Sequence, residues 1–145
     1  MDPRHEDAGI PLEVLAERSG AQLVGDGAVL IRGVAALDDA GPGAIAFLAN
    51  PTYRRHLATT GASAVILLPH DAGATGLPKL VSANPYATYA RVATLLHPAP
   101  PVTPRIDASA VVAPTARVAE SAAIAAYVVV GERTTIGARV RIHAG

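Results

Sequence analysis

The strongest constraint on this chain is a six-residue repeat in its last forty positions. An aliphatic residue occupies every sixth position: Ile106, Val112, Val118, Ile124, Val130, Ile136 and Ile142. A helix repeats every 3.6 residues and a strand every two, so neither period explains a strict six. A triangular β-helix does, because each hexad supplies one short strand and one corner. Irregular strands of a sandwich would not keep their turns in a fixed phase.

Small or β-branched residues stand four positions after the repeated aliphatic residues. They are Ala110, Ala116, Ala122, Val128, Thr134 and Val140. A stacked coil needs compact side chains at such positions, since each repeat must pack on the next. The pattern therefore predicts that the aliphatic side chains stack along the interior of the coil.

Composition changes abruptly in the segment HPAPPVTPR, residues 97 to 105, which contains four prolines. Such a segment sustains neither a helix nor a central strand. We therefore predict a first domain at 1–97, a Pro-rich linker at 98–105 and hexapeptide repeats at 106–145. The linker separates two different kinds of sequence pattern.

The first domain reads as an α/β fold, because helical and strand-like segments alternate along it. A helix is expected from Pro11 to a C-cap at Gly20, and two further helices are expected after Asn50-Pro51 and Asn84-Pro85. Strands are expected at 44–49, 62–68 and 79–83. The apolar runs on either side of Gly25-Asp26-Gly27 favour a hairpin or a tight turn.

Composition excludes several functional classes. Twelve basic and twelve acidic residues balance, and the basic residues form no run beyond Arg54-Arg55, so no nucleic-acid footprint is present. Without cysteine there is no disulfide framework and no thiolate zinc site. The longest apolar run, Ala122 to Val130, is too short for a membrane span. We expect a soluble, cytoplasmic protein.

The segment FLANPTY, residues 47 to 53, contains the only Phe and one of four Tyr in a chain without Trp. By spacing alone, Phe47 could be core at a strand end, Asn50 a helix cap and Tyr53 a packing residue. Alternatively, two rings around an amide suit a flat polar ligand. A second pair, Tyr86 and Tyr89, is interpreted as packing or as a domain interface.

The hexads resemble those of left-handed parallel β-helix acyltransferases. The preceding domain resembles the uridine-binding domain of the UDP-3-O-(3-hydroxyacyl)glucosamine N-acyltransferases of lipid A and lipopolysaccharide biosynthesis. The residues that carry this resemblance are Gly25-Asp26-Gly27, Ile31 to Ala35, Ile45 to Tyr53, His56-Leu57, Ala62 to Ile66, Asn84-Pro85-Tyr86 and Tyr89-Ala90-Arg91. Their order and spacing also match.

The resemblance implies that Phe47 and Tyr53 sandwich a uracil ring and that Asn50 hydrogen-bonds its polar edge. Base stacking on an aromatic ring is worth about 1–3 kcal/mol per base, and an amide can both donate and accept. The implied reaction moves a 3-hydroxyacyl chain from acyl carrier protein to the 2-amino group of UDP-3-O-acylglucosamine. The full-length enzyme is expected to be a homotrimer without cofactor or metal.

The resemblance also implies a general-base His beyond residue 145, so no catalytic residue is expected in this chain. His143 has suitable chemistry but comes too early to match. We expect the chain to be an N-terminal piece that binds substrate without turnover. Three alternatives stay open: a non-catalytic UDP-sugar-binding module, a structural β-helix with an α/β cap, and another hexapeptide-repeat sugar acyltransferase that uses acetyl-CoA.

Overall fold

The computed structural model describes residues 8–145, which divide into two compact units, one ending at Ala99 and the other running from Pro100 to Gly145. His5 and the rest of residues 1–7 lie outside the described residues. Within the described part of the chain, no helix is both long and apolar enough to cross a bilayer.

The first unit is built around a five-stranded sheet with the order β2-β7-β6-β5-β4. Strands β4 to β7 are parallel, and β2 is antiparallel to β7. The strands are β1 (Ile10–Pro11), β2 (Gln22–Val24), β3 (Leu30–Ile31), β4 (Gly33–Val34), β5 (Ala44–Phe47), β6 (Ala64–Leu67) and β7 (Lys79–Val81). The helices are α1 (Leu12–Ser19), α2 (Pro85–Leu96) and two 3₁₀ helices, Pro51–Ala58 and Pro69–Ala74.

Both faces of the sheet are covered. Ile66 of β6 packs in a cluster with side chains of α1 and α2, including Leu15 and Val92. Val65 and Leu67 belong to a second cluster that contains Leu57 of the first 3₁₀ helix. Successive strand residues point to opposite faces, so a strand buried on both sides must be apolar throughout, as β6 is.

The helix termini follow local signals that are visible in the sequence. Gly20 ends α1 in the left-handed region at φ 75°, and its N–H donates to the Ala16 carbonyl oxygen at 3.0 Å. Asn84 begins α2 by accepting the Ala87 N–H at 3.1 Å. The segment after Asn50 is a 3₁₀ helix that ends at Ala58, and Leu57 is its one buried residue.

Of the two alternatives expected at Gly25-Asp26-Gly27, the tight turn is present and the hairpin is not. Asp26 Oδ1 accepts the Ala28 N–H at 2.9 Å, and Gly25 has φ 101°. Strand β2 pairs with β7 instead, with Leu23 opposite Leu80, while β3 pairs with β1. Pairing with β7 lets Leu23 pack against the main core, which an isolated two-stranded hairpin would not provide.

The second unit contains seven two-residue strands, one in each hexad. They are β8 (Arg105–Ile106), β9 (Val111–Val112), β10 (Arg117–Val118), β11 (Ala123–Ile124), β12 (Val129–Val130), β13 (Thr135–Ile136) and β14 (Arg141–Ile142). They form three parallel sheets, β8-β11-β14, β9-β12 and β10-β13. Each pairing joins residues eighteen apart, so three hexads make one turn of a three-faced coil.

The repeated aliphatic residues face the interior of this coil, as predicted. Ile124, Val130 and Ile136 are buried, and Val112, Val118 and Ile142 pack against them. Two of the small residues four positions later, Ala122 and Val128, are buried in the same cluster. Ile106 lies in the first strand of the coil, which pairs with β11 on one side, and it is exposed.

At the corners of the coil, three residues other than glycine have a left-handed backbone conformation. Tyr127, Arg133 and Arg139 have φ values of 60°, 57° and 59°. Each N–H donates to a hydroxyl oxygen eighteen residues earlier: Ser109, Thr115 and Ser121, at 3.1, 3.0 and 3.1 Å. These bonds join successive turns of the coil.

Candidate functional site

A pocket of about 290 Å³ lies at the carboxyl edge of the parallel strands of the first unit. It is lined by residues that follow β4, residues at and after the end of β5, and one residue that follows β7. They are Ala36, Leu37, Asp38, Phe47, Leu48, Ala49, Asn50, Tyr53 and Tyr86. Open α/β sheets commonly bind ligands at this edge, where the loops after parallel strands meet.

Phe47 is the last residue of β5, and its ring is held by α2. The ring centroid of Tyr89 lies 4.4 Å away with an interplanar angle of 40°. Tyr86 meets the same ring edge-on at 5.3 Å and 61°. The edge-on contact with Tyr86 is one of the favoured geometries for aromatic pairs. Phe47 is therefore a fixed, half-buried wall of the pocket.

Asn50 caps the first 3₁₀ helix with its side chain. Its Oδ1 accepts the Thr52 N–H at 3.0 Å. Among residues 8–145, no acceptor takes a hydrogen bond from the Asn50 side-chain NH₂ group. The cap therefore fixes the amide and leaves both N–H donors available at the pocket.

Tyr53 follows in the first turn of the same 3₁₀ helix. Its N–H donates to the Asn50 carbonyl oxygen at 3.0 Å, and its side chain is 51% exposed. The His56 ring lies 6.0 Å away. The structure thus brings Phe47, Asn50 and Tyr53 to one pocket. Their role in binding uracil stays a prediction.

Tyr86 is a pocket residue that sequence reasoning missed. It was interpreted as packing or interface, and it does pack on Phe47, yet it also lines the pocket and is 61% exposed. A signal was available, because Asn-Pro begins a helix after a strand at both Asn50 and Asn84. The two strands are parallel in one sheet, so the helices that follow them begin at the same edge.

Arg54 is tied to the second 3₁₀ helix by an ion pair. Its Nε lies 3.3 Å from Oδ1 of Asp71, whose side chain is 6% exposed, and His70 Nε2 lies 3.3 Å from the other oxygen. A buried carboxylate needs such partners. The contact joins the helix that carries Tyr53 to the one that follows β6.

Lys79 is a second buried charge near Asp71 in sequence. Its ammonium donates to the carbonyl oxygens of Ala72 and Thr75 in and after the second 3₁₀ helix.

The four described histidines are His56, His70, His97 and His143, and none of them lines the pocket. Within residues 8–145, no three His, Cys, Asp or Glu side chains form a metal-ligand cluster.

The pocket residues lie inside the segment that matches a family model. That model is described as UDP-3-O-(3-hydroxymyristoyl) glucosamine N-acyltransferase, LpxD, and it matches residues 28–95. The matched segment includes the loop after β4, the FLANPTY segment and the beginning of α2.

Curated relatives carry a similar name, UDP-3-O-acylglucosamine N-acyltransferase. The protein of Aromatoleum aromaticum is 50% identical over 102 residues, which cover 70% of this chain and 30% of the relative. That of Methylobacillus flagellatus is 46% identical over 107 residues, with coverages of 74% and 31%. That of Burkholderia multivorans is 44% identical over 116 residues, with coverages of 75% and 32%.

The matches span about 30% of the length of these relatives. Their identity of 44–50% extends over about 70% of this chain. The chain belongs to the UDP-3-O-acylglucosamine N-acyltransferase family.

Proposed function

We propose that the whole protein is an N-acyltransferase of lipid A biosynthesis that acts in the cytoplasm. It transfers a 3-hydroxyacyl chain from acyl carrier protein to the 2-amino group of UDP-3-O-acylglucosamine. This chain contributes the uridine-binding site. The observation that carries the proposal is the convergence of Phe47, Asn50 and Tyr53 on one pocket, inside the segment that matches the family model.

In the proposed complex the uracil ring lies between Phe47 and Tyr53. Each stacking contact with a base is worth about 1–3 kcal/mol. The free NH₂ group of Asn50 donates to a uracil carbonyl oxygen, while the Asn50 oxygen stays on the Thr52 N–H. An apolar pocket would hold the base without selecting it, and the amide supplies the selection.

Binding the uridine end helps the reaction at the other end of the substrate. Energy from a non-reacting part of a substrate can position the reacting group. A neutral His acting as general base would take the proton from the amine as it attacks the thioester carbonyl. We assign that His to a part of the protein outside this chain. The proposed reaction uses no cofactor.

We propose that the three-faced coil is left-handed and that the protein is a homotrimer. One outer face supports self-association: Val111 and Val129 are adjacent on β9 and β12 and are 60% and 75% exposed. At the outward-facing strand positions of the other sheets, Arg105 and Arg141 flank Ala123, and Arg117 lies beside Thr135. Arg105 is paired with Asp107, but Arg117 and Arg141 have no carboxylate partner in the described structure, so their charges would oppose contact between copies through those faces. Comparison of the oligomeric states of wild type and Val129→Glu by sedimentation tests whether the face with Val111 and Val129 mediates self-association.

Calorimetric titration of this chain with UDP and CDP tests the uridine site. We expect UDP to bind more tightly than CDP, and Phe47→Ala or Tyr53→Ala to weaken UDP binding by about five- to 150-fold, from the loss of one stacking contact. Tyr127→Ala, which removes an exposed ring from the second unit, is the matched control. Absence of UDP binding by the folded chain would refute the proposed site.

A turnover assay tests the location of the base. With UDP-3-O-acylglucosamine and 3-hydroxyacyl-loaded acyl carrier protein, the chain is expected to bind the sugar nucleotide and to form no N-acylated product. Product formation that His143→Ala abolishes would move the base into this chain.

A further inference from the structure

Among the described residues that line the pocket, Asp38 is the one that carries a charge. It lies in the turn after β4, which the Asp39 N–H closes by donating to the Ala36 carbonyl oxygen at 3.1 Å. Within residues 8–145, the Asp38 carboxylate has no hydrogen-bond or ion-pair partner. It is therefore available to a ligand, and an ionised carboxylate can only accept hydrogen bonds.

The proposed ligand has hydrogen-bond donors that require an acceptor in the pocket. Asn50 offers its NH₂ donors because its oxygen is engaged by the Thr52 N–H. A uridine diphosphate presents three donors to a protein: the imide N–H of the base and the 2′- and 3′-hydroxyls of the ribose. Its phosphates are anionic and would be repelled by a carboxylate. A uridine diphosphate bound in this pocket would therefore bring its nucleoside part, and not its phosphates, to Asp38.

Topology separates Asp38 from the groups that hold the base. Phe47, Asn50 and Tyr53 all belong to β5 and the segment after it, whereas Asp38 belongs to the loop after the neighbouring strand β4. A base held by the β5 groups would thus present its attached sugar to the adjacent loop. The two oxygens of a carboxylate match two vicinal hydroxyls, and acidic residues recognise ribose hydroxyls in this way in other nucleotide-binding folds.

We propose that Asp38 accepts hydrogen bonds from the 2′- and 3′-hydroxyls of the ribose and makes the pocket selective for ribonucleotides. This inference rests on the proposed uridine-binding function. It assigns a specificity role to a residue outside the FLANPTY segment. A charge-assisted hydrogen bond lost with the 2′-hydroxyl corresponds to a loss of affinity on the order of tenfold.

The test is calorimetric titration of the chain with UDP and with 2′-deoxy-UDP. Wild type is expected to bind UDP about tenfold more tightly than the deoxy ligand. Asp38→Asn keeps the shape but removes the charge, and is expected to bring the affinity ratio close to one. Asp39→Asn removes a neighbouring exposed carboxylate that does not line the pocket and is expected to keep the wild-type ratio.

The outcomes separate this inference from the proposed function. UDP binding by wild type with no preference over 2′-deoxy-UDP would overturn the role of Asp38 and leave the uridine site standing. An equal loss of affinity for both ligands in Asp38→Asn would also overturn it, and would assign the carboxylate to the imide N–H. Absence of UDP binding by wild type would overturn both proposals.

Discussion

The Asn50 side-chain oxygen accepts the backbone N–H of Thr52 at 3.0 Å. The residue expected to read the edge of a base is therefore also the cap of the 3₁₀ helix that carries Tyr53. The two roles use different atoms: the cap uses Oδ1, and the proposed base contact uses the NH₂ group. A substitution that preserves one atom and changes the other can separate them.

Asn50→Asp is expected to keep the cap and to lose the base contact. Aspartate is as good an N-cap as asparagine, so the melting temperature should change little. Because the amide donors are lost, UDP affinity should fall about tenfold or more. Asn50→Ala should lose both, with a stability cost of about 0.5–2 kcal/mol. Calorimetric titration and thermal unfolding measure the two effects.

Asn84→Asp is the control for Asn50→Asp, because Asn84 caps α2 through the same oxygen and does not line the pocket. It adds the same charge at the same edge of the sheet. An equal loss of UDP affinity in both variants would mean that charge, rather than the missing donor, weakens binding.

Tyr86→Ala is expected to weaken UDP binding about three- to tenfold. The ring lines the pocket and contacts Phe47 edge-on, so its loss removes part of the pocket wall and up to about 0.5–1.5 kcal/mol of the pair interaction that holds the Phe47 ring in place for stacking. Tyr86→Phe should retain most of the affinity if the ring is what matters. A Tyr86→Ala variant with wild-type affinity would restrict Tyr86 to packing.

Gly61→Ala is expected to destabilise the first unit by about 1–3 kcal/mol. A Cβ at this position would lie 2.7 Å from the Ala40 carbonyl oxygen, a backbone atom that cannot rotate away. Gly73→Ala is the matched control, because its Cβ would meet nothing within 4 Å. Chemical denaturation should show a lower midpoint for Gly61→Ala alone.

Arg133→Gly is expected to stabilise the coil by about 0.5–1 kcal/mol, because Arg133 has φ 57° and glycine adopts that conformation without steric cost. Arg117→Gly removes the same side chain from strand β10 and should instead destabilise by about 0.5–1 kcal/mol. The melting temperatures of the two variants should shift in opposite directions from that of wild type. A fall in stability for both would mean that the Arg133 side chain matters more than its backbone.

Acid should weaken the first corner of the coil through Asp107. Hydrogen bonds from the Ser109 N–H and hydroxyl, at 3.0 and 2.7 Å, and the Arg105 guanidinium hold the pKa of the Asp107 carboxyl below its ordinary value of 3.8. A lowered pKa in the folded state adds stability at pH values above the unfolded pKa. That stability is lost as the pH falls through the folded pKa.

The variant Asp107→Asn tests this pH dependence. Its melting temperature should fall less than that of wild type as the pH drops below about 4, because it has no carboxylate to protonate at this corner. Asp26→Asn is the control, since that exposed carboxylate also accepts a turn N–H but has no cationic neighbour in the described structure. Parallel acid profiles for wild type and Asp107→Asn would contradict the prediction.

The sequence by itself determined the features that depend on neighbouring residues or on a short period. The six-residue repeat determined which aliphatic side chains face the interior, because each hexad forms the same strand and corner. Each hexad also packs against equivalent hexads in the neighbouring turns of the coil. Gly20 and Asn84 marked helix ends for a similarly local reason: their backbone or side chain satisfies groups within one turn. The proximity of Phe47, Asn50 and Tyr53 also follows from their short separation at the end of one strand.

Only the tertiary structure decided which distant segments meet. Strand β2 lies beside β7 rather than beside its sequence neighbour, because that pairing buries Leu23 against the main core. Tyr86 and Asp38 reach the pocket because the loops after parallel strands share one edge of the sheet, and Arg54 meets Asp71 there as well. Apart from the second Asn-Pro, which precedes Tyr86, no local pattern encodes these contacts, since the free energy that selects them comes from packing residues that are far apart in the chain.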